Sequence, residues 1–349
     1  MIDSSSDSSI DIKIEKDVPD WTDYLVHHDN STIYHDPRWG RILRDACGAK
    51  PFYLSASRNG QPVGALTLMG QRSRLFGDRL CSLPYFDASG ILATDKQAAD
   101  ALLSATESLR ESEGYHTLEI RQLDTCHEDV PTRLDKVTMW LKIPGDSTAM
   151  WAQLKTKMRT KVRKTQKNDF NFACGGIELL DDFYAVYSRT MRDLGSPPHG
   201  RLIFERIFAE FQQETRIFVV RGGNQLLAAS FTLQDQWGFH VPWSGSDVRF
   251  RNLGANRFLY WEMLSSAADA GARWFDFGRS TADSGTYEFK REWGAEPVQL
   301  YWHYFMSKGR KIPEIRPDSG KYSLMVRYWK KLPLPLVRTV GPWIIKQLS

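Results

Sequence analysis

The sequence predicts a mixed α/β fold built as two tandem units, and three observations carry that reading. The strand–turn–strand run PFYLSASRNGQPVGALTLMG (51–70) has a counterpart in TRIFVVRGGNQLLAASFTLQ (215–234). Gly114 and Gly271 stand 157 residues apart, as do Glu119 and Asp276, so one offset relates the helix-to-strand ends of the two halves. Each half runs helix, antiparallel strands, helix, strand, an order that suits a mixed sheet with helices on its faces. The hairpins argue against a doubly wound parallel sheet, whose strands would need crossover helices. A period this long describes two paired domains from an internal duplication, not a solenoid.

The elements follow in order. Residues 1–20 hold six acids and two lysines among serines, the composition of a disordered head. In STIYHDPRWGRILRDA, Asp36 is a candidate N-cap, with Pro37 at the first helical position. The Asn59-Gly60 pair then marks a hairpin turn. CSLPYFDASGILA reads as a strand pair, 96–113 as a helix, HTLEIRQL as a buried strand, and VTMWLKI as the strand closing the first unit. The second unit opens with a helix over 151–167, then helices over 181–194 and 201–213, the second hairpin, GFHVPWSGSD, the helix NRFLYWEMLSSAADAG and the strand ARWFDFGRS. The expected boundaries are therefore 1–20, 21–148 for the first unit, 149–306 for the second, and a tail over 307–349.

Length and composition narrow the function. The chain has 349 residues, 42% hydrophobic and 25% charged, as globular proteins do. Twelve Trp, 18 Phe and 13 Tyr are enough to line a groove as well as fill a core. Cys47, Cys81, Cys126 and Cys174 are scattered, which argues against a metal site or disulfide framework and fits a reducing cytoplasm. The acidic start lacks a signal-peptide pattern, and no apolar run reaches membrane-spanning length. The net charge of +4 is uneven: residues 307–349 hold ten Lys/Arg against Glu314 and Asp318.

Three segments carry candidate chemistry. In 151–167, Trp151, Leu154, Met158 and Val162 form one apolar stripe. Lys155, Arg159, Arg163 and Lys167 follow four apart, and Lys157, Lys161 and Lys164 bring the basic residues to seven with no acid among them. Such a field attracts phosphates, whether of tRNA, a nucleotide-sugar pyrophosphate or an anionic lipid. In RFRNLGANRFLYWEML (249–264), a glycine turn enters a helix, a ready anion cradle. The pyrophosphate motif [Q/R]-x-x-G-x-[G/A] of GNAT enzymes is met by Arg251 and Gly254 but ends on Asn256; Arg257 and Tyr260 would face the same cleft. A plain helix start, capped by Asn256, explains the segment equally well.

The third segment is FDFGRSTADSGTYEFKREWGAEP (275–297). Asp276 lies between two aromatics on an expected central strand, where a carboxylate needs a partner. Arg279 is the expected partner, either as a structural salt bridge or as part of a site in which Asp276 orients or deprotonates an amine. Lys290, beside Phe289 and near Trp293, suits a phosphate or a developing oxyanion; a surface lysine with a snorkelling stem is the plainer reading. Residues 284–286 read as a mobile loop that could close over substrate. His35 and His199 read as structural.

Together MRTKVRKTQKNDF, YSRTMRDLGSPPHG and ANRFLYWEML followed by FDFGRSTADSGTYEFKREWGAEPVQLYW resemble the FemAB-like branch of the GNAT superfamily. More narrowly, they resemble FemAB-related proteins found with exosortase and exopolysaccharide loci. The resemblance covers about residues 30 to 305 and is strongest over 150–302. It implies tandem GNAT-like domains and an acyltransferase moving an acyl or aminoacyl group to an amine of a peptidoglycan or exopolysaccharide precursor. It implies that Lys290 contacts the oxyanion or phosphate, with Phe289 beside the reacting carbonyl. Tyr260 and Asp276 are carried over as catalytic candidates, and Arg279 as a donor contact. The sequence departs from the pattern twice: it lacks the helical arm some members use for tRNA, and its pyrophosphate motif is incomplete. The donor therefore stays open between acyl-CoA and aminoacyl-tRNA, with no metal required.

KYSLMVRYWKKLPLPLVRTVGPWIIKQLS is basic and amphipathic, with Trp329 and Trp343 as interfacial anchors and Lys330, Lys331, Arg338 and Lys346 for anionic headgroups. A C-terminal helix pair packed on the body is the structural alternative. The expected location is the cytoplasm, peripheral at the inner face of the membrane and near a lipid-linked acceptor. A competing reading is a degenerate GNAT-fold module that binds nucleic acid or anionic lipid without turnover.

Overall fold

A computed structural model describes residues 9–73, 77–123, 130–307 and 320–348. The chain forms two compact units: Met1–Leu134 with Leu300–Ile312, and Asp135–Gln299 with Pro313–Ser349.

The first unit begins with β1 (Asp11–Glu15), paired antiparallel to β2 (Lys50–Arg58). This corrects the expectation of a disordered head: DIKIE alternates as a strand does, and its ladder with Tyr53–Ser57 outweighs the acidic composition around it. Residues 1–8 lie outside the described residues. Between these strands come α1 (Thr22–His27) and α2 (Arg38–Cys47). The α2 helix starts two residues after the expected cap, and the Asp36 carboxylate accepts from the Arg38 backbone N–H at 2.8 Å. The predicted hairpin is β2 with β3 (Gln61–Gln71). Then come β4 (Arg79–Cys81), β5 (Leu92–Ala93), α3 (Lys96–Ser112), the wholly buried β6 (Thr117–Gln122) and β7 (Thr132–Arg133).

The second unit starts with β8 (Lys136–Lys142), α4 (Ser147–Gln153), α5 (Thr156–Thr165) and β9 (Phe170–Gly175). The expected unbroken helix over 151–167 is two helices, because Leu154 and Lys155 are extended (ψ 135° and 145°). The break lets both short helices lay apolar residues on the helix that follows the second hairpin. Leu154, Met158 and Val162 are all buried there, and Trp151 meets Trp261 edge-on at 4.8 Å. The unit continues with α6 (Leu180–Leu194), α7 (Arg201–Glu210), the hairpin β10 (Thr215–Gly222) and β11 (Gln225–Gln234), β12 (Gly238–Ser246), α8 (Ala255–Asp269), β13 (Trp274–Thr281), α9 (Gly285–Glu292) and β14 (Glu296–Gln299). The chain then returns to the first unit as β15 (Tyr301–Met306), and ends with α10 (Gly320–Trp329) and α11 (Leu334–Leu348) of the second.

The two sheets have matching orders. One reads β1-β2-β3-β4-β6-β15-β7, with β5 beside β3; the other, from its far edge, reads β9-β10-β11-β12-β13-β8-β14. Both contain one parallel pair, β4 with β6 and β12 with β13. Gly114 and Gly271, the repeat markers, have the same backbone conformation (φ 71° and 75°). In each sheet the sixth strand is contributed from beyond the other unit's sequence: β15 pairs antiparallel with β6, and β8 with β13. The units therefore divide at 134/135 and again at 299/300, not at 148/149. VTMWLKI closes the second sheet instead of the first. Hydrophobic alternation is the same whichever sheet a strand joins, so the pattern alone does not disclose the exchange.

The C-terminal segment is a packed helix pair. Val337 is fully buried, Arg338 Nε donates to Ser188 Oγ at 2.9 Å, and Trp329 Nε1 donates to the Ser196 carbonyl at 3.0 Å. The earlier part of the predicted tail, 308–319, lies outside the described residues. No helix among the described residues is long and apolar enough to cross a membrane.

Candidate active site

The parallel pair of the second unit opens partway along. Pairing between β12 and β13 runs through Gly238–Trp274 and Phe239–Phe275 and ends at His240–Asp276, although β12 continues to Ser246 and β13 to Thr281. The register of β13 against β8 is broken between Asp276 and Arg279, and Gly278 at φ 77° makes the turn. A Cβ at residue 278 would also sit 3.1 Å from the Val241 carbonyl, so glycine serves both backbone and space.

The first unit shows what closure looks like at the same point. Its pair ends at Cys81–Glu119, and residues 82–90 then fold against β6. Ser82 N–H donates to the Glu119 carbonyl at 2.9 Å, Ser89 N–H to the Arg121 carbonyl at 3.1 Å, and the Arg121 guanidinium to Phe86 O at 2.6 Å and Glu119 at 2.7 Å. The strand gap is thus filled in the first unit.

In the second unit the base of the opening is a buried ionic cluster. His240 Nε2 lies 2.8 Å from Asp235 Oδ2, and Nδ1 lies 3.4 Å from Asp276 Oδ2. Asp276 Oδ1 accepts from Thr138 Oγ1 at 2.6 Å and from Gly278 N–H at 2.8 Å. Burial opposes charge on His240, but the carboxylates of Asp235 and Asp276 outweigh it and push the imidazole up to about 10. Burial also opposes charge on Asp276, yet His240, Thr138 and Gly278 hold its carboxyl below the usual range. The expected partnership of Asp276 with Arg279 is therefore replaced by one with His240. The bulge carries residue 279 past the bend, where its side chain is exposed.

Above this cluster, Tyr260 spans the gap. Its ring stacks on Phe277 of β13 (5.4 Å, 11°), and its hydroxyl hydrogen-bonds the Ser244 side chain of β12, which is also bonded to Ser230 at 2.7 Å. Phe289 and Trp293 complete an aromatic wall, 5.2 and 6.4 Å from the Tyr260 ring. Trp293 is buried, and its indole N–H has no acceptor among the described residues. Ser280 Oγ and Arg257 Nε are likewise buried without a partner. Orphaned polar atoms are rare in folded interiors and mark places where a ligand can complete the bonding.

Lys290 is buried, and its ammonium donates to the Gly278 and Arg279 carbonyls at 2.8 and 2.9 Å. It ties α9 to the β13 bulge. Residues 284–286 do not form the expected mobile loop: Ser284 caps α9, its Oγ accepting from Tyr287 N–H at 3.3 Å.

Gly254, at φ 73°, is itself the N-cap of α8, so Asn256 lies inside the first turn rather than capping it. The end of α5 abuts this turn, where Asn168 donates to the Leu253 carbonyl at 3.0 Å. Arg257 and Lys161 both pair with Glu292, at 3.2 and 2.6 Å, joining α8, α5 and α9. Lys161, through its hydrogen bond, holds the Glu292 carboxyl below its ordinary value. Arg251 is exposed just before the turn. Lys155 is exposed at the start of α5, Arg159 bonds Thr156 at 3.4 Å, and Arg163 lies over the Trp151 ring at 5.3 Å.

The structure thus brings together Tyr260, Asp276, Phe289, Lys290 and Trp293, with Arg257 joined to α9 through Glu292. Among the described residues, Lys155, Arg159 and Arg163 make no hydrogen bond or ion pair with that group. Sequence reasoning missed Asp235, His240, Thr138, Ser244 and Glu292, and it placed Lys161 in the basic field without its pairing to Glu292. No spacing marked His240: the offset of 157 that pairs Glu119 with Asp276 sets Cys81 against Gly238, and only the strand register aligns Cys81 with His240. Among the described residues there is no group of three or more His, Cys, Asp or Glu able to hold a metal ion.

Residues 152–291 match the family described as acetyltransferase (GNAT) domain. The match contains α5, α8, β12, β13 and nearly all of α9, the elements that build the opening. In fold, the chain is similar to the crystal structure of FemX, at 14% identity, 81% of this chain, 94% of that one and a TM-score of 0.64. It is also similar to a tandem GNAT protein from the clavulanic acid biosynthesis pathway (10% identity, 87% and 100% coverage, TM-score 0.52). A third similar structure is a conserved protein of unknown function from Bacteroides thetaiotaomicron VPI-5482 (8% identity, 85% and 100% coverage, TM-score 0.55). No curated protein sequence matches. At these identities the likeness is one of fold, and the fold is a tandem GNAT-like one.

Proposed function

We propose that the second unit transfers an acyl or aminoacyl group to an amine of a cell-envelope precursor. The observation that supports this most is the parting of β12 and β13 beyond His240–Asp276, in a unit whose counterpart is filled at the same point. The donor's acyl group would enter the gap beside Tyr260 and Trp293. Its phosphates would meet the α8 N-terminus at Gly254 and Asn256, with Arg251, Arg257 and the basic face of α5 nearby. That placement suits acyl-CoA and the phosphate-rich end of aminoacyl-tRNA alike.

In the transfer, the amine nitrogen attacks the donor carbonyl, forming a C–N bond as the C–S bond of a thioester or the C–O bond of an aminoacyl ester breaks. The amine loses a proton, and the leaving thiolate or alkoxide gains one. Asp276 is a weak base, engaged by three donors, and His240 is held protonated. We therefore assign both to positioning the bulge and the proton transfer to solvent. The orphaned Trp293 N–H is a donor available to a substrate carbonyl.

The test is thermal melting with acetyl-CoA, CoA or an aminoacyl-tRNA mixture. A donor present at about 100 times its dissociation constant should stabilise the protein by about 2.7 kcal/mol. Gly254→Val, which puts a side chain at a positive φ and against Thr165, should abolish the shift. Absence of a shift with every donor, together with salt-sensitive RNA binding and no turnover, would favour the binding-module reading instead.

A further inference from the structure

The last two helices carry a surface that the proposed transfer site leaves unused. Residues 319–349 contain Lys321, Arg327, Lys330, Lys331, Arg338 and Lys346 and no acid at all. Their inward faces are packed. Val326 lies against Gly195, Trp329 bonds Ser196, Val337 is buried, and Gly341 fits against Pro198. Their outward faces are not polar, as packed surface helices usually are.

On α10 the exposed stripe is Leu324, Met325 and Tyr328, the last 70% exposed. The intervals of one and three residues place these side chains on one side, with exposed Arg327 and Lys331 flanking them. On α11, Leu336, Thr339, Trp343 and Lys346 follow at intervals of three, four and three on the exposed side, and Trp343 is 60% exposed. Each helix therefore shows water apolar and aromatic side chains, and the charged residues exposed beside them are all cations.

We infer that α10 and α11 form a docking surface for an anionic phospholipid bilayer. Exposed aromatic and aliphatic side chains suit the boundary between headgroups and acyl chains, and the basic edge matches anionic headgroups. The absence of any acid across 31 residues is the charge complementarity that favours this occupant over another protein surface. Neither helix spans a membrane; they would lie on one. The inference does not depend on the acyl-transfer reading, and it fails or stands separately from it.

Removing residues 322–349 would uncover Ser188 and Ser196 and the packed face of α6, so the test uses exposed positions only. The full chain is sedimented with vesicles of phosphatidylglycerol and phosphatidylcholine, and with phosphatidylcholine alone. Binding to the anionic vesicles, weakened by salt and absent from the neutral ones, is expected. The double variant Met325→Glu/Tyr328→Glu, the variant Trp343→Ala and the double variant Arg327→Glu/Lys331→Glu should each bind at least about tenfold more weakly. Melting temperatures and donor binding should match those of the parent chain, because these side chains point to solvent. No sedimentation of the parent with anionic vesicles at low salt would overturn the inference. So would equal binding by all the variants. Concentration-dependent self-association lost in the same variants, without vesicle binding, would reassign the face to a second copy of this chain.

Discussion

His240→Ala is expected to lower the unfolding free energy by about 3–5 kcal/mol, because it removes the imidazolium that lies between two largely buried carboxylates. The neighbouring backbone suffers too. Asp235 also accepts from the N–H groups of Trp237 and Gly238 at 2.9 and 3.0 Å, so it cannot easily turn to solvent. The pH dependence has a definite sign. The folded imidazole is raised from 6.5 to about 10, so its stabilisation is complete below the ordinary value and drains away as pH rises towards about 10. Asp276 is shifted the other way, and its contribution is lost as pH falls through its depressed value. Urea denaturation of both proteins between about pH 6 and about pH 10 checks this. Stability of the parent chain should decline across that window, and the variant should lack that decline. Equal midpoints for the two proteins at pH 7 would show that the cluster does not matter to the fold.

Lys290→Ala is expected to reduce kcat/KM by about a hundredfold through misplacement of the β13 bulge. The loss of two charge-assisted hydrogen bonds should also cost about 1.5–3 kcal/mol of stability. A positioning role predicts that kcat falls while donor affinity, measured by melting shift, changes little. A role in holding donor phosphate predicts the reverse: a large loss of affinity with kcat preserved at saturation. Wild-type kinetics in a folded variant would remove Lys290 from the site altogether.

Much of this was legible in the chain. The Asn59-Gly60 hairpin, the buried strand 117–122 and the repeat offset each rest on local chemistry or on periodicity, and both survive folding unchanged. Asp276 and Lys290 stood out because a carboxylate between aromatics and a lysine beside them need partners. Their partners did not stand out. His240 lies 36 residues from Asp276 and meets it across a parallel pair, a contact no spacing rule encodes. Arg279 looked closer in sequence, but the turn at Gly278 carries it past the bend. The helix over 151–167 failed for a related reason: an apolar stripe reports what is buried, not whether the backbone beneath it is continuous.

The exchange of sixth strands bears on how the protein is made. A ribosome releases residues 11 to 133 long before β15 at 301–306, and β7 pairs with β15 as well. The N-terminal sheet therefore remains unfinished, with one side of β6 unpaired, until nearly the whole polypeptide has been synthesised. At the usual elongation rates of about 5–20 residues per second, that wait lasts on the order of ten seconds or more. Nascent chains stalled after residue 299 should be cut readily by protease within 117–122, and those stalled far enough past residue 306 for β15 to clear the exit tunnel should resist. Equal resistance would mean that the N-terminal half matures without its late strand. If the difference appears, the start of this protein is held open to aggregation and to chaperones until its end arrives.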